Sequence, residues 1–176
     1  MQVRYIADTH LYDPASSLWR AEYGGLDAYA ENLICNWNNC TDVDDIVFHL
    51  GDVGEQCELT YSVLRRLKGN KVLILGNHDV EHGYVKWPSD IFQGVYHELT
   101  HSGVHMVHKP SSMPDGCIYL IHGHHHTYSG IMMHNELNKY QQDTYRLNCA
   151  ADLIGNTPRT LRELIINKET MLMARR

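Results

Sequence analysis

The sequence predicts a single α/β domain. Three observations predict it: short β-rich runs alternate with helical patterns in the first half, the second half is rich in strands, and four polar clusters each sit directly after a β-rich run. The first run is Val3 to Ala7, followed by Asp45 to Leu50 and Lys71 to Leu75. Between them, Leu26 to Asn38 places Leu26, Tyr29, Leu33, Ile34 and Trp37 near one face of a helix. Leu59, Val63, Leu64 and Leu67 do the same in the next connection, which Gly69 ends. The chain thus starts βαβαβ. Val95 to Thr100, Val104 to His108 and Ile118 to Ile121 are further strands, Thr144 to Cys149 reads as the last, and Thr160, just after Pro158, opens a terminal helix through Leu161, Leu164 and Ile165. Stretches 11–25, 80–94, 109–116 and 127–138 are rich in Gly, Pro, Ser or aromatics and are candidate substrate loops. No repeat, low-complexity tract or linker divides the chain, so residues 1–176 are expected to form one domain.

Composition narrows the function. The 176 residues carry 15 Lys+Arg against 21 Asp+Glu, a formal charge of −6, with 43% hydrophobic and 20% charged residues. These values exclude disorder, collagen and coiled coil. The longest aliphatic run, Val72 to Leu75, falls far short of the roughly 20 apolar residues of a membrane span, and no charged leader precedes Val3. Neither a membrane span nor a signal peptide is expected. Cys35, Cys40, Cys57, Cys117 and Cys149 are odd in number and lack a Cys-x-x-Cys pair, which argues against a disulfide framework and a thiolate zinc site and favours a cytoplasmic location. A net acidic chain has no general attraction for long duplex nucleic acid, so any phosphate it binds must be held locally. The 13 His are the anomaly, because imidazole is the commonest transition-metal ligand.

His97, Glu98, Leu99, Thr100 and His101 match the His-Glu-x-x-His pattern of zinc peptidases, which needs a helix to bring its two His together. The flanking Val95, Tyr96, Gly103 and Val104 favour extension, and residues four apart in a strand stand about 13 Å apart. A hairpin with surface His around a turn at His101, Ser102 and Gly103 is expected instead.

The four clusters are Asp8, Thr9, His10; Gly51, Asp52; Gly76, Asn77, His78, Asp79; and Gly123, His124, His125, His126. Ends of strands in open α/β sheets are where such folds place their sites. Asp8 and His10 are two apart, a spacing that projects both to one side of a strand end, and His124 and His126 repeat it. Carboxylate, amide and imidazole donors without thiolate suit Mn, Fe or Zn better than Ca.

The order Asp-x-His, Gly-Asp, Gly-Asn-His-Asp, a lone His, then Gly-His-x-His resembles the calcineurin-like metallophosphoesterase superfamily, from Met1 to about His126. Asn36, Trp37, Asn38, the run Phe48 to Asp52, and the tail Tyr145 to Asp152 with Pro158 and Leu161 are similar to its small single-domain bacterial and phage members. The resemblance implies a four-layer α/β/β/α sandwich with two mixed sheets and helices outside. It implies two divalent metal ions, Mn2+ favoured with Fe, Zn or Ni also fitting. Asp8, His10 and His126 would hold the first, Asn77 and His124 the second, and Asp52 would bridge them. One further His is expected from an intervening strand, chosen among His97, His101, His105 and His108. His108 is preferred because it ends the run Val104 to Val107 and precedes Lys109 and Pro110; His105, odd in register to it, is the competitor.

The activity so implied is hydrolysis of a phosphate ester, a phosphodiester being favoured, by a hydroxide bridging the metals. A phosphomonoesterase, a nuclease or a non-catalytic interaction scaffold of the same fold are the alternatives. By the same resemblance His78 stabilises developing charge and protonates the leaving oxygen, and Asp79 orients and charges its imidazole. Thr9, His122 and His125 are read as spacers. Close relatives often continue the first motif with Phe, Gly, His where this chain has Leu11, Tyr12, Asp13. Arg20, Lys86 and Lys109 are the loop cations able to meet a phosphate, and Tyr12, Tyr84 and Trp87 the aromatics able to stack on a base.

Overall fold

Val3–Ile6 (β1) lies parallel to Ile46–His49 (β2), β2 to Asn70–Ile74 (β3), and β3 to Phe92–Tyr96 (β4). The computed structural model that shows this describes residues 1–80, 87–126 and 145–173, with side chains to residue 167; Tyr84, Lys86 and the candidate loop 127–138 lie outside the described residues. A second sheet is built from Glu98–His101 (β5), Val104–Val107 (β6), Tyr119–His122 (β7) and Arg146–Asn148 (β8). Arg159–Thr160 (β9) pairs antiparallel with β1 at the edge of the first sheet. The orders are β4-β3-β2-β1-β9 and β5-β6-β7-β8, and each sheet is mixed.

The helices follow the apolar stripes. Ser17–Arg20 (α1) is a single turn between the short 3-10 segments Pro14–Ser16 and Ala21–Tyr23. Leu26–Cys40 (α2) buries Tyr29, Ala30, Leu33, Ile34 and Trp37, the spacing of one helical face. Trp37 is fully buried and its indole N–H donates to the Lys68 carbonyl at 2.9 Å, so its polar handle is satisfied while its ring fills the core. Glu58–Arg66 (α3) buries Thr60, Val63 and Leu64, whereas Leu59 in its first turn is exposed. Leu161–Met173 (α4) follows β9, and the Thr160 hydroxyl and Glu163 carboxylate cap its start reciprocally.

Two expectations are corrected. Val95 to Thr100 is not one strand: β4 ends at Tyr96 in the first sheet and β5 begins at Glu98 in the second, with His97 at the crossing. A β-rich sequence signals extension, which both strands satisfy, but carries nothing about the sheet joined. The strand of 144–149 is not the last, because the two-residue β9 follows Pro158 and is too short to show as a run. The hairpin at 101–104 is present: His101 pairs with Val104 across Ser102 and Gly103, both left-handed at φ 50° and 77°.

This topology gathers the polar clusters. Because β1 to β4 are mutually parallel, their C-terminal ends collect along one edge, and β6 to β8 do the same in the second sheet. The two edges are tied where Ala7, just past β1, donates its N–H to the Cys149 carbonyl at 2.9 Å and accepts from Ala151 N–H at 2.8 Å. Among the described residues no helix is long and apolar enough to cross a membrane. The five cysteines are all free.

Candidate metal centre

The loop after β1 turns sharply. Asp8 and His10 hold φ of 58° and 41°, Asp52 after β2 holds 53°, and His124 after β7 holds 69°. Left-handed backbone at residues with a Cβ costs about 1–3 kcal/mol each and persists where surrounding structure enforces it. Here the enforcement is visible: Asp8 N–H donates to the Gly51 carbonyl at 2.9 Å, His10 N–H to the Asp52 carbonyl at 3.1 Å, and His124 N–H to Asp8 Oδ2 at 2.9 Å. Asp8 and His10 therefore converge through kinked backbone, not through the strand alternation expected of them. Gly76 and Gly123 make room for the carboxylates, since a Cβ at either would collide with Asp52 Oδ1 or Asp8 Oδ2 respectively.

Two groups of ligating atoms result: Asp8, His10 and His126 in one, Asp52, His108 and His124 in the other, the atoms within each lying within 4.8 Å of one another. Asp52 stands between them. Its Oδ2 is 3.2 Å from His108 Nε2 and 3.9 Å from His10 Nε2 of the first group. Asn77, in the loop after β3, has a buried amide oxygen, and Asn77 Oδ1, Asp8 Oδ1, His10 Nε2 and His108 Nε2 are all buried without a hydrogen-bond partner. Buried polar atoms are ordinarily paired, so four orphans at one edge are a strong signal. Donors about 2.0–2.2 Å from one ion stand about 3–3.5 Å from one another; His126 Nε2 to Asp8 Oδ1 is 3.4 Å and His108 Nε2 to Asp52 Oδ2 is 3.2 Å. The residues fit a divalent ion in each group.

Buried charges around Asp52 and His126 set the electrostatics of the site. Burial alone would lift the Asp52 carboxyl, but the imidazole of His108 and the His78 N–H hold it well below the usual carboxylate range. Burial would likewise lower His126, yet the carboxylates of Asp152 and Asp8 raise it to about 10. Burial, with the neighbouring charges of His108 and Lys109, lowers His124 to about 4 and leaves its imidazole neutral, the form able to hold a metal.

His108, the His preferred for the lone position, stands in the second group: its Nδ1 donates to the Leu50 carbonyl at 2.7 Å and so turns Nε2 toward Asp52. His105 turns elsewhere, its Nδ1 paired with Thr100 Oγ1 at 2.9 Å. His78 is exposed, its N–H anchored on Asp52 Oδ1 at 2.9 Å and its ring 5.3 Å from that of His10. Asp79, which the resemblance expects to orient the His78 imidazole, is held by three backbone N–H groups. It is 2% exposed, and its carboxylate accepts the N–H groups of Gly76 (2.7 Å), Asp52 (2.8 Å) and Val53 (3.1 Å), clamping the loops after β2 and β3 together.

Of the loop cations, Arg20 is 3% exposed, lies 3.6 Å over the Tyr29 ring and donates to the Thr9 carbonyl at 3.1 Å; it braces the first loop. Trp87 packs in the core against Tyr61 and Phe92. Lys109 is exposed beside a groove of about 300 Å³ that Leu75, Val80 and Val107 line with Asn77 and His108. His122 and His125 are buried, as is Thr9, whose hydroxyl donates to the Val53 carbonyl at 2.8 Å and pairs with His49 Nε2 at 2.9 Å.

Four residues escaped the sequence reading. Asp13 Oδ2 is 2.9 Å from His10 Nδ1, and Asp152 Oδ2 is 3.4 Å from His126 Nδ1. Trp19 sets its ring 6.3 Å from that of His10 and 5.8 Å from that of His126. His49 is buried beneath the first loop. In the sequence Asp13 stood out only as a departure from the family pattern, and His49 and Asp152 only as members of the runs Phe48 to Asp52 and Tyr145 to Asp152, with no role attached.

No protein-family model matches the chain. It is 27% identical over 179 residues to the uncharacterized protein MJ1445 of Methanocaldococcus jannaschii, covering 94% of this chain and 89% of that protein. Its fold is similar to the crystal structure of the protein of unknown function AQ665 from Aquifex aeolicus, with a TM-score of 0.66 and 22% identity over 92% of this chain and 96% of that one.

Proposed function

We propose that this chain is a dinuclear-metal phosphoesterase of the calcineurin-like metallophosphoesterase superfamily that hydrolyses phosphodiesters. The observation that carries the reading is the pair of His/Asp groups on either side of Asp52, with unpaired buried donor atoms turned toward each. Two mixed sheets meeting at the C-terminal ends of their strands are compatible with the four-layer sandwich of that superfamily. Nitrogen and oxygen donors without thiolate favour Mn2+, with Fe, Zn or Ni next. Free cysteines favour a cytoplasmic setting.

When bound, a pair of divalent ions supplies Lewis acidity and an activated water for attack on phosphorus. The protein's own contribution is positioning. Asp8, His10 and His126 would hold one ion, Asn77, His108 and His124 the other, and Asp52 would touch both. His78, exposed and beside His10, would stabilise charge on the phosphoryl oxygens and give a proton to the leaving oxygen. The groove beside Asn77 and His108 has room for a second substituent on phosphorus, which favours a diester over a monoester, and Lys109 on its rim adds a positive charge.

The test is hydrolysis of bis-p-nitrophenyl phosphate beside p-nitrophenyl phosphate by Mn2+-reconstituted protein. Faster diester turnover is expected. Monoester preference would redirect the reading to a phosphatase, and two bound ions without turnover of either ester would favour a scaffold.

A further inference from the structure

The two groups differ in what stands behind their imidazoles. In the first, both His carry a carboxylate on the nitrogen turned away from the ligating side: Asp13 on His10 Nδ1 at 2.9 Å and Asp152 on His126 Nδ1 at 3.4 Å. Asp13 is itself fixed, because its other oxygen accepts the Ala15 N–H at 2.8 Å and starts the first helical turn. The side chains of Asp13 and Asp152 are only 15% and 12% exposed, so solvent screens them weakly. In the second group His108 has a neutral carbonyl, that of Leu50, in the same place. Asn77 is uncharged, and the cation of Lys109 follows His108 in the chain. Three carboxylates thus surround the first position, with Asp52 shared between the two.

A carboxylate behind a ligating imidazole fixes its tautomer, aims its ring and raises its basicity, and losing one typically costs 10–100-fold in metal affinity. We propose that the Asp8, His10, His126 position is the tighter of the two and fills first, and that Asp13 and Asp152 are the positioning residues that make it so. The second position, where among the described residues no carboxylate stands behind His108 or His124, exchanges its ion more readily, so occupancy of the pair follows the free metal concentration. This rests on the two-metal reading above, from which its test is separable.

The experiment is calorimetric titration of the metal-free full chain with Mn2+, with electron paramagnetic resonance at one and two equivalents. Two classes of site at least tenfold apart are expected. One equivalent should give an isolated-ion spectrum, and the second a spin-coupled one. Asp13→Asn and Asp152→Asn should each weaken the tighter class about 10–100-fold and leave the weaker within twofold, with circular dichroism unchanged. Two sites of equal affinity, a coupled spectrum already at one equivalent, or variants that weaken only the looser class would overturn the proposal while sparing the two-metal reading. Fewer than two bound ions would overturn both.

Discussion

The carboxylate of Asp79 accepts the backbone N–H of Asp52 at 2.8 Å while its same oxygen accepts Gly76 N–H at 2.7 Å, so one side chain locks the loop bearing the central carboxylate to the loop bearing Asn77. In Asp79→Asn the amide end faces a backbone N–H and leaves a buried donor unpaired, at a cost of about 1–3 kcal/mol beyond the charge-assisted bonds lost. The variant is expected to unfold at lower denaturant, by about 2–4 kcal/mol, and to bind Mn2+ more weakly. A variant of unchanged stability and metal content that lost only rate would return Asp79 to service of the His78 imidazole.

Substitution of His78 separates chemistry from metal binding. His78→Ala is expected to retain both ions and to lose about 10²–10⁴ in kcat, most severely on esters with poor leaving groups. Unchanged turnover of such an ester would remove His78 from the reaction.

Space at two glycines tests the geometry one group at a time. A methyl at Gly123 meets Asp8 Oδ2, and a methyl at Gly76 meets Asp52 Oδ1. Gly123→Ala is predicted to weaken the first metal position by at least about tenfold, or about 1.4 kcal/mol, with less effect on the second. Gly76→Ala is predicted to weaken both, since Asp52 faces both groups. Metal titration of each variant distinguishes the patterns, and normal affinity in Gly123→Ala would refute the placement of Asp8.

His49 carries a pH prediction. Since Thr9 donates its hydroxyl proton to the Val53 carbonyl, His49 Nε2 is the donor in its contact with Thr9, and a second proton would sit on Nδ1, which is buried without a hydrogen-bond partner. Burial lowers its folded pKa from 6.5 to about 3. The unfolded chain then binds a proton that the folded chain refuses, so His49 removes stability as pH falls from about 6.5 toward 3, by at most about 1.4 kcal/mol per unit. His49→Gln is expected to flatten the acid limb of the stability profile by that slope between pH 6.5 and 5. Identical slopes in the two proteins would contradict it.

How much of this was legible in the sequence follows from how local each cause is. The β-branched runs gave β1, β2, β3 and β6 to within a residue or two, and the 3.6-residue stripe gave α2, because both periods are written into adjacent residues. The ligating types announced themselves by clustering at strand ends. The supports behind them were silent: nothing near Asp152 in the sequence points to His126, and the contact exists only because the loops after β7 and β8 are neighbours in the second sheet. The left-handed backbone at Asp8 and His10 was equally hidden, since it is imposed by Gly51 and Asp52 in the loop after β2. Arg20 and Trp87, able to meet a ligand by residue type alone, have the packing role more usual for such residues, held by Tyr29 and by Phe92.

The central claim is that two ions held on either side of Asp52 act together. Metal-free protein titrated with Mn2+ and assayed on bis-p-nitrophenyl phosphate at each step tests it most directly, with Asp52→Asn in parallel. Activity is expected to appear with the second equivalent and to be lost in Asp52→Asn together with tight metal binding. Full activity at one equivalent, or an Asp52→Asn protein that hydrolyses the ester as fast as the parent, would contradict it.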